Sequence, residues 1–437
     1  WSLVLALGVR GGGTPWMVNA LIASLTVALT YRLGGQVFSR DVGLIATWLV
    51  TFSPMALLLN ATLMNHTLAL FLVTLFIYSY WSAVTGEQPI IWGAVAGMAL
   101  GWLVGTRTLT AVAVAVPFVL DAVVRLMYSL FRGRFLQTLR PMITLGGMAL
   151  LLAMMVPLYR YATTGDPTQN LYVLVWDYDR VGFGPDIGRF GHTLTDGIET
   201  ARKDLTLTAV DLFGWQLERL TDGQTEQLQA ATGTYPGRGW SLILLPLGLV
   251  LGLAGRKRRW VMLIGAIPLA IVGAYLAYWI GSQRYSTRYY FEALTAAAIL
   301  TALPLGWLAK RWGSRIVVWA MLMSMTTWTF SNYTQPRLAL LNGFNRVNQA
   351  MIAEVHNRRE TDNPVLVVIT GEYMTWRAAG SLLAETGPFL DTDIILARNH
   401  TTEDHLSAIL QQFPDREVIP MYGDESWAWF TEELPDS

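Results

Sequence analysis

Apolar runs of bilayer length, separated by short polar bursts, dominate the first three quarters of the chain. They fall at residues 16–34, 42–60, 66–84, 90–106, 108–128, 142–160, 240–255, 260–280, 289–308 and 316–332. A helix needs about 20 mostly apolar residues to cross the hydrocarbon core, so the runs at 90–106 and 240–255 suit a thin or locally indented bilayer. In lipid the backbone must satisfy its own polar groups, so each run predicts a helix. Residues 1–10 are apolar but too short to span, and Gly11-Gly12-Gly13 follows them. This predicts an interfacial or re-entrant helix hinged into the first span at Pro15-Trp16. The triple glycine does not read as a phosphate cradle, because no strand precedes it and no Gly-Lys-Ser follows.

Two stretches break the pattern. The loop 161–239 is rich in Gly, Asp, Thr and aromatic residues, with helical periodicity near 194–231, and is too long for a plain connector. From residue 337 a polar helix (337–360) leads to Val365–Ile369, the continuous apolar run of a buried strand. Helical patterns near 374–386 and 403–412 then alternate with strand candidates at Asp393–Leu396 and Glu417–Met421. That alternation predicts a small α/β domain. The fold class expected is mostly α: a polytopic transmembrane bundle of about 10 spans with a small outward-facing α/β C-terminal domain. The expected division is 1–336, a membrane domain carrying the 161–239 loop, and 337–437, a support or acceptor-docking module.

Charge orients the bundle. Arg125, Arg132, Arg134 and Arg140 fill one acid-free connection; Arg256 to Arg259 fill a second, Lys310, Arg311 and Arg315 a third, and Arg32 and Arg40 flank a fourth. With ten spans all four lie on one side, which the positive-inside rule makes cytoplasmic. The loop 161–239 and the tail then face outward, and the protein is expected to be a multi-pass protein of the cell (plasma or inner) membrane. Hydrophobic residues are 53% of the chain and charged residues 14%, with 31 basic against 31 acidic side chains. The balanced charge offers no field for nucleic acid, and the absence of cysteine removes disulfides, thiolate metal sites and cysteine nucleophiles together. No cofactor is called for. A divalent metal finds no support in ligand spacing, since only His400 and His405 stand near each other, in the polar tail.

The candidate chemistry lies at the outward ends of the spans, where polar groups are costly. Asn65 and His66 sit at a tight turn between the second and third spans and are either a polar cap or one wall of a substrate site. Arg107, in GTRTLTAV, lies where two spans almost touch and either snorkels to headgroups or holds an anion. Arg284 and Arg288, in GSQRYSTRYYFEAL, defy the positive-inside trend. Arg288, Tyr289 and Glu292 open the next span, with Arg288 and Glu292 at an i,i+4 spacing suited to a pair. Three arginines on one rim suit a phosphate. In the long loop, Trp176 to Arg180, Asp186, His192 and Phe213-Gly214-Trp215 combine aromatics with carboxylates, as sugar sites and interfacial loops both do.

In order and type these features resemble the GT-C class of polytopic glycosyltransferases, which includes the protein O-mannosyltransferases and the aminoarabinose transferases of lipid A. The likeness is carried by YRLGGQVFSRDVGLIATWLVTFSPMALLLNATLMNH, by WGAVAGMALGWLVGTRTLTAVAVAVPFVL, by YSTRYYFEALTAAAIL and by the GFGPDIGRFGHT and LFGW loop motifs. The tail pattern DIILARNHTTEDHLSAILQQFPDREVIPMY looks like an uncharacterised bacterial branch. The resemblance implies a polyprenyl-phosphate sugar donor, inversion at the anomeric carbon, and a glycan, lipid or protein acceptor. It also implies a catalytic aspartate in a first outer loop, which would lie upstream of Trp1, the chain having lost its N-terminus. Arg107, Arg284 and Arg288 are then expected to hold the lipid phosphate, with Asn65, His66, Tyr289, Glu292, Asp186 and His192 as substrate-site candidates. Alternative readings are a lipid-linked glycan ligase, a flippase or a secondary transporter. A transporter is disfavoured by span centres nearly free of charge and by the lack of an internal repeat.

Overall fold

The computed structural model describes residues 2–11, 14–174, 176–216, 239–282, 286–311, 313, 315–341, 349–371, 379–387, 389–399, 403–423 and 428–433. The chain divides into two compact units, Trp1–Leu338 and Ala339–Ser437.

The first unit is helical. Its elements are α1 (Ser2–Arg10), α2 (Pro15–Val37), α3 (Arg40–Thr51), α4 (Pro54–Asn60), α5 (His66–Thr85), α6 (Pro89–Thr106), α7 (Thr108–Phe131), α8 (Phe135–Ala153), α9 (Met155–Thr164), α10 (Leu194–Asp211), α11 (Leu244–Leu253), α12 (Arg258–Tyr275), α13 (Leu294–Arg311) and α14 (Arg315–Thr329). The last continues through a π-turn at Phe330–Thr334 into α15 (Gln335–Ala339). Each of the ten apolar runs contains one of these helices. Among the described residues seven helical stretches are long and apolar enough to cross a membrane, and α3 with α4 makes an eighth if that pair, bent by 54°, is one broken span. Two runs therefore fall short of the expected ten spans. The run at 240–255 yields only the ten residues of α11, because Trp240 to Ile243 are taken up in turns. The run at 316–332 yields 15 residues of α14 before the helix widens into the π-turn.

Apolar surface shows what surrounds the bundle. Along α7, Val112, Val116, Val119, Leu120, Val123, Val124 and Met127 are all exposed, a stripe at helical spacing that water would penalise and lipid does not. Of the α8–α9 stretch almost nothing is buried. By contrast α5 and α13 are wrapped by their neighbours and form the centre. There the hydroxyls of Thr74 and Thr30 meet that of Thr295 at 2.9 and 3.4 Å, the kind of interhelical bond that joins helices in a lipid solvent.

Small residues set the closest helix contact. Gly93, Gly97 and Gly101 repeat every fourth residue on α6, and a Cβ at each would stand 2.6, 2.3 and 2.5 Å from the carbonyl oxygens of Pro141, Leu145 and Ala149 on α8. Only hydrogen fits there, which is how a GxxxG ridge brings two backbones together. At the end carrying the basic connections, Asp121 of α7 is clamped by Arg125 Nε at 2.6 Å, Arg259 Nε of α12 at 2.5 Å and the Tyr80 hydroxyl of α5 at 2.7 Å.

The bend between α3 and α4 has a local cause. Pro54 opens α4 and cannot continue α3, while Ser53 caps α4 at Ala56 N and donates to Leu212 O at 2.6 Å. Gly214 sits against Pro54 and Thr329 with φ +67°, where a Cβ would stand 2.1 Å from Thr329 Cγ2. The segment after α10 is thus wedged into the break. At the end of α10, buried Asp211 accepts from the Tyr333 hydroxyl and from Arg337 Nη2 at 3.3 Å, tying that helix to the π-turn. Its start carries a reciprocal capping box between Thr193 and Asp196. The helical pattern read over 194–231 is observed to Asp211, and residues 217–238 lie outside the described residues.

The second unit holds α16 (Ala350–Arg358), α17 (Gly380–Glu385), α18 (Glu403–Gln412) and a four-stranded sheet: β1 (Val365–Gly371), β2 (Ile394–Arg398), β3 (Glu417–Gly423) and β4 (Ala428–Phe430). The strand order is β2-β1-β3-β4, with β1 parallel to β2 and β3 and β4 antiparallel at the edge. All of Val365 to Ile369 is buried, since helices cover both faces of a central parallel strand. Val367 and Ile369 pack in one apolar cluster with Val355 of α16, and Leu366 and Val368 in another with Leu406 of α18. The mostly α fold with a small α/β sheet is as the sequence predicts; β4 is an addition that three residues with no alternation did not announce.

Candidate functional site

The site forms at the end of the bundle remote from the basic connections, where α5, α7 and α13 begin and α12 ends. Asn65 precedes α5 and donates its Nδ2 to Thr106 O at 2.9 Å, bridging to the end of α6. That bridge brings His66, the first residue of α5, beside Arg107, the single residue between α6 and α7. Arg107 lies between two helices and supplies the C-cap of one and the N-cap of the other.

Arg107 does not reach to the surface. Its side chain is only 9% exposed and turns inward to Glu292, which is fully buried. The guanidinium places Nε 3.2 Å from Glu292 Oε1, Nη1 2.6 Å from His66 Nδ1, and Nη2 2.7 Å from the Tyr275 hydroxyl. An arginine only donates, so the imidazole accepts with a bare ring nitrogen. Thr110, one turn into α7, holds the Tyr275 hydroxyl at 2.9 Å and lies 3.4 Å from Arg107 Nε.

Two tyrosines form the adjoining wall. The Tyr275 and Tyr289 rings stack with centroids 4.8 Å apart and planes 6° from parallel. The Arg107 guanidinium carbon is 5.5 Å from the Tyr289 ring centre and that of Arg288 is 5.1 Å from the same centre. Arg288 Nη2 donates to the Tyr289 hydroxyl at 3.2 Å. Residues 181 positions apart thereby place two cations against one ring. Arg288 follows Ser286, whose φ of 100° is unusual for a side-chain-bearing residue.

Two buried groups are left with unused hydrogen-bonding capacity. Among the described residues Arg288 Nε is buried and donates to nothing, and neither carboxylate oxygen of Glu292 accepts a hydrogen bond. Arg107 and His66 lie close to Glu292 Oε1, at 3.2 and 3.5 Å, as ion-pair neighbours rather than along hydrogen-bond directions. Buried polar groups in native proteins are nearly always satisfied, so such orphans call for strain, an ordered water or a bound group as their partner.

The expected Arg288–Glu292 pair is not formed. A 3₁₀ turn at Phe291–Ala293 intervenes before α13 begins at Leu294, so the two residues do not share an α-helical face, and Glu292 instead meets Arg107. Of the sequence-predicted residues, Asn65, His66, Arg107, Arg288, Tyr289 and Glu292 come together. Arg284 lies outside the described residues. His192 is buried elsewhere, its Nε2 2.9 Å from Leu276 O and its ring stacked on Phe183, so it shapes the long loop. Asp186 is exposed on that loop. Asp179 accepts from Tyr278 and Trp279 at 3.2 and 2.9 Å, fastening the loop to the end of α12. Sequence reading passed over Tyr275 and Thr110: both sit inside apolar runs, and their only signal was a hydroxyl in a lipid-length segment. Among the described residues no three His, Asp or Glu side chains converge as a metal site.

Comparisons with known proteins bear on the fold. No family model matches the sequence, and no curated protein matches it. Among solved structures, ArnT from Cupriavidus metallidurans bound to undecaprenyl phosphate is similar over 96% of this chain and 81% of its own, with a TM-score of 0.56 at 12% identity. The same protein in the apo state gives 0.55 at the same identity and coverage. The chain therefore shares the polytopic helical fold of ArnT.

Proposed function

We propose that this chain is a membrane glycosyltransferase that moves a sugar from a polyprenyl-phosphate donor to an acceptor at the outer face of the cell membrane. One observation carries the reading: Arg107 and Arg288 meet at Tyr289, and the buried Arg288 Nε has no partner among the described residues. The ArnT structure that shares the fold is bound to undecaprenyl phosphate, which supports a lipid phosphate as the anion. Arg107 is already offset by Glu292, so Arg288 is the cation that addresses the phosphate, and Arg107 and Tyr275 hold the wall behind it.

In the transfer, the bond from the anomeric carbon to the phosphate oxygen breaks, its electron pair stays on the phosphate, and the acceptor oxygen forms the new bond as its proton passes to the released phosphate monoester. Negative charge grows on the departing phosphate, and fixed guanidinium donors in a water-poor site stabilise it there. The basic connections at the opposite end of the bundle favour an extracytoplasmic location for both the site and the tail.

Binding of undecaprenyl phosphate to the purified protein in detergent tests this. Arg288→Lys keeps the charge but loses the planar fork, and losing one charge-assisted contact costs about 1.5–3 kcal/mol, a drop of about ten-fold or more. Arg107→Ala is expected to weaken the same ligand and to be non-additive with Arg288→Ala. Unchanged binding in both single variants, each shown to be folded at the assay temperature, would remove the lipid-phosphate reading.

A further inference from the structure

We infer that Glu292 reads the glycosyl group, its buried carboxylate accepting hydrogen bonds from two hydroxyls of a neutral sugar. The inference rests on the lipid-phosphate reading of Arg288 and adds what that reading leaves open, the chemistry of the group transferred.

The carboxylate is fully buried, yet neither oxygen accepts a hydrogen bond from the described residues. A carboxylate has room for about four such bonds and can offer none of its own, so the missing partner is a donor. Among the described residues the neighbours do not supply it: His66 Nδ1, 3.5 Å from Glu292 Oε1, is the nitrogen that accepts from Arg107. Arg107 commits Nη1 to His66 and Nη2 to Tyr275, and these contacts at 2.6 and 2.7 Å fix the guanidinium with only Nε toward Glu292. Tyr275 is engaged by Arg107 and Thr110, and the Tyr289 hydroxyl by Arg288.

Charge decides which kind of donor fits. Among the described residues the guanidiniums of Arg107 and Arg288 lie against the Tyr289 ring and Arg107 pairs with one carboxylate, Glu292, so the single negative charge of a glycosyl phosphodiester brings this group to neutrality. An ammonium on the sugar would leave a buried positive charge without a counter-ion, which burial penalises heavily. Hydroxyls satisfy the oxygens without disturbing that balance, and adjacent hydroxyls of a sugar match the two oxygens of one carboxylate. The link to the phosphate is short: Arg288 bonds the Tyr289 hydroxyl, and Arg107, which pairs with Glu292, lies over the same ring.

The test compares three probes on the whole chain in detergent: undecaprenyl phosphate, undecaprenyl phosphomannose, and an aminopentosyl undecaprenyl phosphate. The wild type should bind the mannosyl probe about ten-fold or more tighter than the bare phosphate, as expected for two bonds to a charged acceptor, and should not prefer the amino sugar. Glu292→Gln should abolish the mannosyl preference, read as the ratio of mannosyl to bare-phosphate affinity. Glu292→Asp retains the charge opposite Arg107 but withdraws the oxygens by one methylene, so it should lose the preference with its melting temperature intact, and it decides the matter if Glu292→Gln does not fold. The inference is overturned if the wild type shows no mannosyl preference, if it prefers the amino sugar, or if the preference survives in a folded variant. It is also overturned if folded variants lose the bare phosphate equally, because Glu292 would then act only by positioning Arg107. Failure of the lipid-phosphate reading has a different mark: undecaprenyl phosphate binding that Arg288→Lys leaves unchanged.

Discussion

Arg107 and Glu292 show how far burial changes the meaning of a charge. An arginine at the junction of two membrane helices has two homes, the headgroup layer or the protein interior, and here the interior wins because a carboxylate, an imidazole and a tyrosine hydroxyl are waiting in it. Removing one partner from a buried pair strands the other, at a cost of about 3–5 kcal/mol. Arg107→Met is therefore expected to lower the unfolding free energy in detergent by about that much. The double variant Arg107→Met/Glu292→Met should be less destabilised than either single variant, since it leaves no stranded charge. Additive losses in the double-mutant cycle would mean that the pair is not coupled. His66 and Asn65 belong to the same scale: a turn that reads as a polar cap also serves to carry an imidazole to the arginine.

Among the elements, the α6–α8 contact and the α3–α4 break do most to position the site. The glycine ridge of α6 sets the height at which Arg107 emerges, because Gly97 lies against the α8 backbone with no room for a methyl group. Gly97→Ala should force the helices apart and destabilise the protein by about 1–3 kcal/mol, the range for overpacking. Gly105→Ala on the same face is expected to be nearly neutral, as its Cβ would meet only Val156 Cγ2 at 3.8 Å. Thermal melts of the two variants side by side check this, and equal losses would show that the ridge is not the reason. Gly214→Ala acts at the other wedge, where both its positive φ and the 2.1 Å approach of Thr329 oppose a side chain.

For the whole molecule the two units lead to separate expectations. The tail, 339–437, has its own apolar clusters on both faces of its sheet, so expressed alone it should be soluble with mixed α/β circular dichroism. Glu417 accepts from Glu360 N, Thr361 N and the Thr361 hydroxyl at 2.7, 2.9 and 2.6 Å, and these bonds hold its carboxyl below the usual carboxylate range. A depressed folded pKa means the unfolded chain binds the proton first. Its contribution is therefore complete above the unfolded value of about 4.3 and is lost as pH falls through the lower folded value. The melting temperature of the tail should fall below about pH 4, and Glu417→Gln should flatten that slope. Topology is tested by cysteine labelling in intact cells: Ser407, exposed in the tail, should react with an impermeant thiol reagent when replaced by cysteine, and Gln137, exposed in the first turn of α8, should not. Ser129 is a poor reporter, being buried with its hydroxyl on Leu126 O. Labelling at Gln137 with protection at Ser407 would invert the orientation.

Hydropathy alone determined the helical bundle, the place of nearly every helix, the change of character at the tail and its alternation of strands and helices. Those features follow from local composition, since a lipid-length apolar run has only one way to satisfy its backbone and a run such as Val365–Ile369 suits a strand covered on both faces. Six of the candidate site residues were also legible, because a polar side chain at the end of an apolar run is rare enough to draw notice. Their partners were not. Arg288 and Glu292 read as a pair by spacing, and only the 3₁₀ turn before α13 separates them and hands Glu292 to an arginine 185 positions earlier. Tyr275 and Thr110 were hidden in apolar runs, Asp121 of α7 is held by Tyr80 of α5 and Arg259 of α12, and His192 fastens the long loop to Leu276 O. In each case the deciding contact joins residues far apart in sequence, and a local pattern carries no information about which helix end comes to lie against which.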